Sequence, residues 1–182
     1  GHGNTKRDNT AKISKLVDNQ FRFHIDTTHL GKNYHKLRPT DFITITNKLH
    51  GSSFIVSKLI CKKKLNWFEK GLKKLLKVNI VDTHYDFLHA SRRVIKNEQI
   101  MVEGKNHYYK YDIWADIAKI INPILLDGMT IYGEVVGFTK NGEAIQKGYD
   151  YGCEPNKFET YVYRITYTNP KGDVMEFTTS QL

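Results

Sequence analysis

The stretch that most constrains this chain is residues 42–56, where an alternating segment, a tight turn and a second apolar segment follow one another. Phe42-Ile43-Thr44-Ile45-Thr46 alternates with period two, which predicts a strand carrying Thr44, Thr46 and Lys48 on one face and Ile43 and Ile45 on the other. Behind it, Lys48-Leu49-His50-Gly51-Ser52-Ser53 places a lysine at the strand end and a Gly-Ser turn directly after, and Phe54-Ile55-Val56 resumes a strand. A lysine amine attacks phosphorus or carbonyl carbon only where desolvation or nearby cations favour its neutral form. Gly51 would let the backbone approach a phosphate, and Ser52 and Ser53 can donate to its oxygens. Read alone, a K-x-x-G pattern is more often an exposed lysine before a loop.

Composition sets the frame for that turn. With 182 residues and 40% hydrophobic content, one domain with its own core is expected. Residues 1–20 read as a flexible N-terminal segment, with Gly1-His2-Gly3 set aside as a tag remnant, and residues 21–182 as the folded body. Cys61 and Cys153 show neither a disulfide framework nor metal-ligand spacing, which points to reduced thiols and a cytoplasmic compartment. No apolar run approaches the roughly 20 residues of a membrane helix, and no membrane partner is expected.

The net charge of +9 calls for an anionic partner. It is concentrated in residues 58–78, where lysines 58, 62, 63, 64, 70, 73, 74 and 77 face a single acid, Glu69. Trp67, Phe68, Leu72, Leu75 and Leu76 interleave with them, predicting an amphipathic basic helix over about 66–78. Its lysines Lys70, Lys73, Lys74 and Lys77 are candidate contacts to a phosphate backbone, although a solvated charged face accounts for them as well.

Elsewhere, 21–25, 85–89, 131–138, 161–168 and 174–178 read as strands, with 169–173 a hairpin turn. Residues 30–39 read as a loop that lacks the glycine pattern of a P-loop. A helix is expected over 111–126, with Asp112 as N-cap, Ile113, Ile117, Ile120 and Ile121 inward, and Pro123 and Gly128 closing it. The fold class is therefore α+β, with antiparallel sheets and flanking helices.

Four ordered segments give the chain a wider resemblance. Lys48-Leu49-His50-Gly51-Ser52-Ser53, Ala90-Ser91-Arg92-Arg93, Tyr132-Gly133-Glu134-Val135-Val136-Gly137 and Tyr161-Val162-Tyr163-Arg164-Ile165 resemble motifs of the covalent nucleotidyltransferases, the superfamily of RNA ligases, DNA ligases and capping enzymes. His50, where most DNA ligases and capping enzymes carry aspartate, is similar to the phage RNA ligases that seal nicked duplex RNA. Residues 144–152, Ala-Ile-Gln-Lys-Gly-Tyr-Asp-Tyr-Gly, resemble a further stretch of those ligases.

The resemblance implies an ATP-dependent RNA ligase of the phage RNA-repair type, with the adenylylation-domain fold. Lys48 would become lysyl-AMP, AMP would pass to an RNA 5′-phosphate, and a 3′-hydroxyl would displace it, with Mg2+ as cofactor. His50, Gly51, Arg92, Glu134 and Tyr163 would hold the nucleotide, Tyr163 by stacking on adenine. The partner would be RNA with nicked or structured ends, in the host cytoplasm if the protein is phage-encoded. Motifs IV and V, which carry the metal-binding glutamate and the phosphate-gripping lysines, have no counterpart here, so the metal ligands are open and a missing C-terminal segment is expected. The 58–78 segment is an insertion relative to shorter members. A DNA ligase, a capping-type guanylyltransferase and an inactive nucleotide- or RNA-binding module are the alternatives. Without the resemblance, core packing explains Tyr163 as well as stacking does.

Overall fold

The computed structural model describes residues 16–63, 75, 82–96 and 111–182. Among the described residues six strands form one antiparallel sheet: β1 (Ser52–Lys62), β2 (Thr83–Ser91), β3 (Ile95–Lys96), β4 (Met129–Gly137), β5 (Phe158–Thr168) and β6 (Val174–Glu176). Their spatial order is β3-β2-β1-β4-β5-β6, so β1 is paired on both edges. The helices α1 (Leu30–Asn33) and α2 (Ile113–Ile121) accompany the sheet, and the architecture is α+β. No helix among the described residues is long and apolar enough to cross a membrane.

Period-two alternation along β1 sends successive side chains to opposite faces. Phe54 and Val56 join Ile131 and Val135 of β4 beneath α2, which contributes Ile113, Trp114, Ile117, Ala118 and Ile121. The α2 N-terminus is capped as expected, with the Asp112 carboxylate accepting from Ala115 N–H at 3.1 Å. Ile120 is 62% exposed rather than inward, because Trp114 and Ala118 carry the buried stripe around the opposite flank of the helix.

Ile55, Ala90 and Tyr132 face the other side, where Phe21, Phe23 and Ile95 cover them. Further along that face Leu59, Cys61 and Leu88 meet Leu16 and Phe21. Residues 21–25 thus use their alternation to pack on the sheet, but they form no strand. The Tyr132 hydroxyl donates to the Arg22 carbonyl at 3.0 Å and ties this extended segment down.

The strand expected over 42–46 is absent. β1 has both edges filled by β2 and β4, which leaves this segment without a ladder, and Phe42, Ile43 and Ile45 are all exposed. Residues 30–36 form helix α1 and a 3-10 turn where a loop was expected. The 169–173 turn is as predicted: Asn169 N–H donates to the Asp173 carbonyl at 3.0 Å, and Gly172 takes φ +89°. Of the basic 66–78 helix, only Leu75 is described, and it is helical and exposed. Lys70, Lys73, Lys74 and Lys77 lie outside the described residues.

Candidate functional site

The site lies on the sheet face opposite α2, where β1, β4 and β5 meet the 21–26 segment. Lys48 sits three residues before Gly51, exposed, on a stretch with no regular secondary structure. The backbone then enters β1 beside β4, and the approach is close: a Cβ on Gly51 would stand 2.1 Å from the Val135 carbonyl oxygen. The neighbouring strand therefore requires glycine at position 51.

Ser53 and Glu134 are directly opposite in the β1–β4 register. Glu134 Oε2 accepts the Ser53 hydroxyl at 2.9 Å, and its Oε1 accepts the Gly51 N–H at 3.1 Å. Of the two serines expected to donate to phosphate oxygens, Ser53 thus meets the glutamate. From the other face of the sheet, the Trp114 indole N–H donates to the Ser53 carbonyl at 3.1 Å, so this short stretch is fixed from both sides.

Period-two alternation along 161–168 predicts one face for Tyr161, Tyr163, Ile165 and Tyr167. Tyr161, opposite Glu134, does share the face of Tyr163, but Ile165 and Tyr167 do not, because the β4–β5 register slips between Tyr132 and Gly133: Tyr132 pairs with Arg164 and Gly133 with Val162, leaving Tyr163 with no opposite residue in β4. Such bulges re-aim side chains. Ile165 packs toward α2, whereas Tyr163 and Arg164 both turn to the opposite face. There the Tyr163 hydroxyl is hydrogen-bonded to His24 Nδ1, and the Arg164 guanidinium lies 4.6 Å over the Tyr132 ring.

His24 also meets Tyr132 edge-on at 5.4 Å. Burial, together with the nearby Arg92 and Arg164 cations, lowers its pKa to about 4. The ring is then neutral near pH 7, and its Nδ1 can accept from Tyr163. Burial and the Glu134 charge push the Tyr163 hydroxyl up to about 12, so it stays protonated.

Arg92 follows the end of β2 in a bend, and its guanidinium pairs with Asp26 at 2.7 Å. That partner holds the Asp26 carboxyl below the usual carboxylate range. His50 is exposed; its N–H donates to the Tyr151 hydroxyl at 2.7 Å and its ring lies 4.9 Å from that of Tyr149. The 144–152 stretch therefore packs against the lysine-bearing segment.

Arg92 and Tyr163 thus flank His24, Glu134 lies within electrostatic reach of Tyr163, and Lys48, His50 and Gly51 lead into the Glu134 contact. Sequence reasoning missed His24, Asp26 and Arg164, and gave Ser53 a different partner. The alternation of Phe21 and Phe23 signalled that His24 lay on a packed segment, while nothing local marked Asp26 as the partner of Arg92. Among the described residues no group of three or more His, Cys, Asp or Glu side chains could hold a metal ion. Comparison of the chain with family models, curated proteins and solved structures gives no match.

Proposed function

We propose that the protein is a covalent nucleotidyltransferase of the RNA ligase type, built on the adenylylation fold, with Lys48 as nucleophile. The observation that carries this reading is the hydrogen bonding of Glu134 to Gly51 and Ser53, which joins the lysine motif to the glutamate motif across 83 residues of chain. Two side chains that the resemblance assigns to one nucleotide, Arg92 and Tyr163, lie within electrostatic reach of each other, and Tyr163 feels the Glu134 charge.

In the reaction, Lys48 Nζ as the free amine would attack the α-phosphorus of ATP. An N–P bond forms while the P–O bond to pyrophosphate breaks, and the amine proton passes to solvent. AMP would then move to an RNA 5′-phosphate, breaking the N–P bond, and attack by a 3′-hydroxyl would release it. Arg92 would neutralise charge on the bound nucleotide once it leaves Asp26, and Tyr163, held at its hydroxyl by His24, would offer its ring to adenine. Glu134 acts by holding the Gly51 turn, and so the position of Lys48.

Magnesium bound with the triphosphate would stabilise negative charge. The carboxylates nearest the site, Asp26 and Glu134, are already engaged with Arg92 and with Gly51 and Ser53. The described residues therefore fit no metal site of their own.

The test is the intact mass of the protein after incubation with ATP and magnesium. A gain of one AMP, absent from Lys48→Ala and Lys48→Arg, supports the reading, because arginine stays protonated and is a poor nucleophile. Labelling that persists in either variant, or none in the unaltered protein, overturns it. GTP in place of ATP distinguishes a capping-type enzyme.

A further inference from the structure

The 144–152 loop has a feature that lysine adenylylation leaves unused. Tyr149 and Tyr151 present their rings to solvent, 47% and 40% exposed, with centroids 6.3 Å apart and planes within 29° of parallel. His50 continues the series on the other side of Tyr149 at 4.9 Å. Two neighbouring tyrosines left half in water gain little as core, so their arrangement needs another reason.

The backbone is bent specifically to hold them there. Gly148 and Gly152 take φ of +81° and +77°, and a Cβ at either would meet nothing within 4 Å, so conformation and not space calls for glycine. Tyr151 itself takes φ +55°, uncommon for a residue with a Cβ. Tyr149 N–H donates to the Gln146 carbonyl at 3.1 Å, Cys153 N–H to the Asp150 carbonyl at 3.1 Å, and Gly152 N–H to Asp150 Oδ1 at 3.0 Å. The Tyr151 hydroxyl, by accepting the His50 N–H, fixes the loop to the segment bearing Lys48.

We propose that Tyr149 and Tyr151 form a stacking platform for an unpaired nucleobase of a nucleic-acid strand, at the end of the strand brought to Lys48. Flat, exposed, near-parallel rings suit the faces of any base. Charge decides between base and backbone as the group received. The loop itself carries Lys147 against Asp150 and has no net positive charge to attract phosphate, whereas the whole chain is at +9 and draws a polyanion to its surface. The phosphates are met elsewhere, and the loop takes the base. The inference rests on the ligase reading only for the identity of the strand as RNA.

The experiment uses the full chain without ATP, so its result does not depend on lysine adenylylation, which the mass measurement tests separately. The probe is a short RNA with 2-aminopurine at its unpaired 3′ end, whose fluorescence falls when the base stacks on a ring. Binding to the unaltered protein should quench it, and an otherwise identical RNA with an abasic end should bind roughly five- to a hundredfold more weakly. Tyr149→Leu should lose quenching and affinity to the same extent, while Tyr149→Phe and Tyr149→Trp keep both. Equal binding of the abasic RNA, or unchanged quenching in Tyr149→Leu, overturns the proposal. So does a Phe variant that fails as badly as Leu, since that would assign the residue a hydroxyl-dependent structural role.

Discussion

Gly51 passes so close to Val135 that a Cβ would stand 2.1 Å from the Val135 carbonyl oxygen and 2.9 Å from its carbonyl carbon. These are backbone atoms of β4, inside the β1–β4 ladder, and cannot swing aside as a side chain would. Gly51→Ala should therefore destabilise the protein by about 1–3 kcal/mol through overpacking, a loss of a few degrees to roughly 10 °C in melting temperature. Gly148→Ala is the control: its Cβ meets open space, and only the positive φ resists, at about 1–2 kcal/mol. Thermal unfolding of the two variants checks the order; a Gly51→Ala protein as stable as the parent would contradict the close approach.

Glu134 bonds to the same turn, and the consequences of removing it can be separated. Glu134→Ala leaves the Gly51 N–H and the Ser53 hydroxyl without their acceptor, which should cost about 1–3 kcal/mol. Glu134→Gln keeps one carbonyl oxygen for Gly51, and the Ser53 hydroxyl can rotate to accept from the amide, so most of the stability should remain. Urea midpoints for the pair measure this difference. AMP labelling of Glu134→Ala should drop by about tenfold or more, because the turn that positions Lys48 is released.

His24 predicts a pH dependence with a definite sign. Its folded pKa is about 4 against an ordinary 6.5, so between those values the unfolded chain binds more protons than the folded one. Stability from this group is complete above pH 6.5 and is lost as pH falls through 6.5 toward 4. The groups responsible are burial first, then Arg92 and Arg164, with Asp26 acting in the opposite sense. His24→Phe keeps a ring on Tyr132 and removes the titration. Its melting temperature should vary less than that of the parent between pH 6.5 and 4, and the two curves should run parallel above pH 7. Identical slopes throughout would show that His24 is not buried in its neutral form.

These residues also show what the sequence could and could not convey. The regular strands were legible because each alternation had a sheet to fall into, and α2 because Asp112, the isoleucine spacing and Pro123 agree. The 42–46 alternation is of equal quality, yet both edges of β1 are already taken, and pairing is a property of the whole sheet. Tyr163 could not be placed on a face because one slipped residue in the β4–β5 ladder reverses the parity on which such a reading depends. The partners of Arg92 and Tyr163 come from the 21–26 segment, 66 and 139 residues away, and no local pattern encodes a contact at that separation.

The Asp26–Arg92 pair gives the last prediction. Its bond is 2.7 Å, but the side chains are 71% and 57% exposed, and solvent screening leaves exposed pairs of this kind weak. A nucleotide that needs Arg92 must first take it from Asp26, and the cost is therefore small. Asp26→Asn should raise nucleotide affinity by at most about fivefold, and added salt should shrink the difference by screening the pair in the parent. Arg92→Ala should act in the opposite direction, lowering affinity. Both are read by equilibrium binding of a fluorescent ATP analogue in a Lys48→Ala background, where covalent transfer does not distort the equilibrium. If Asp26→Asn weakens binding as Arg92→Ala does, Asp26 holds Arg92 in its working position, and the competition inferred from the ion pair is wrong.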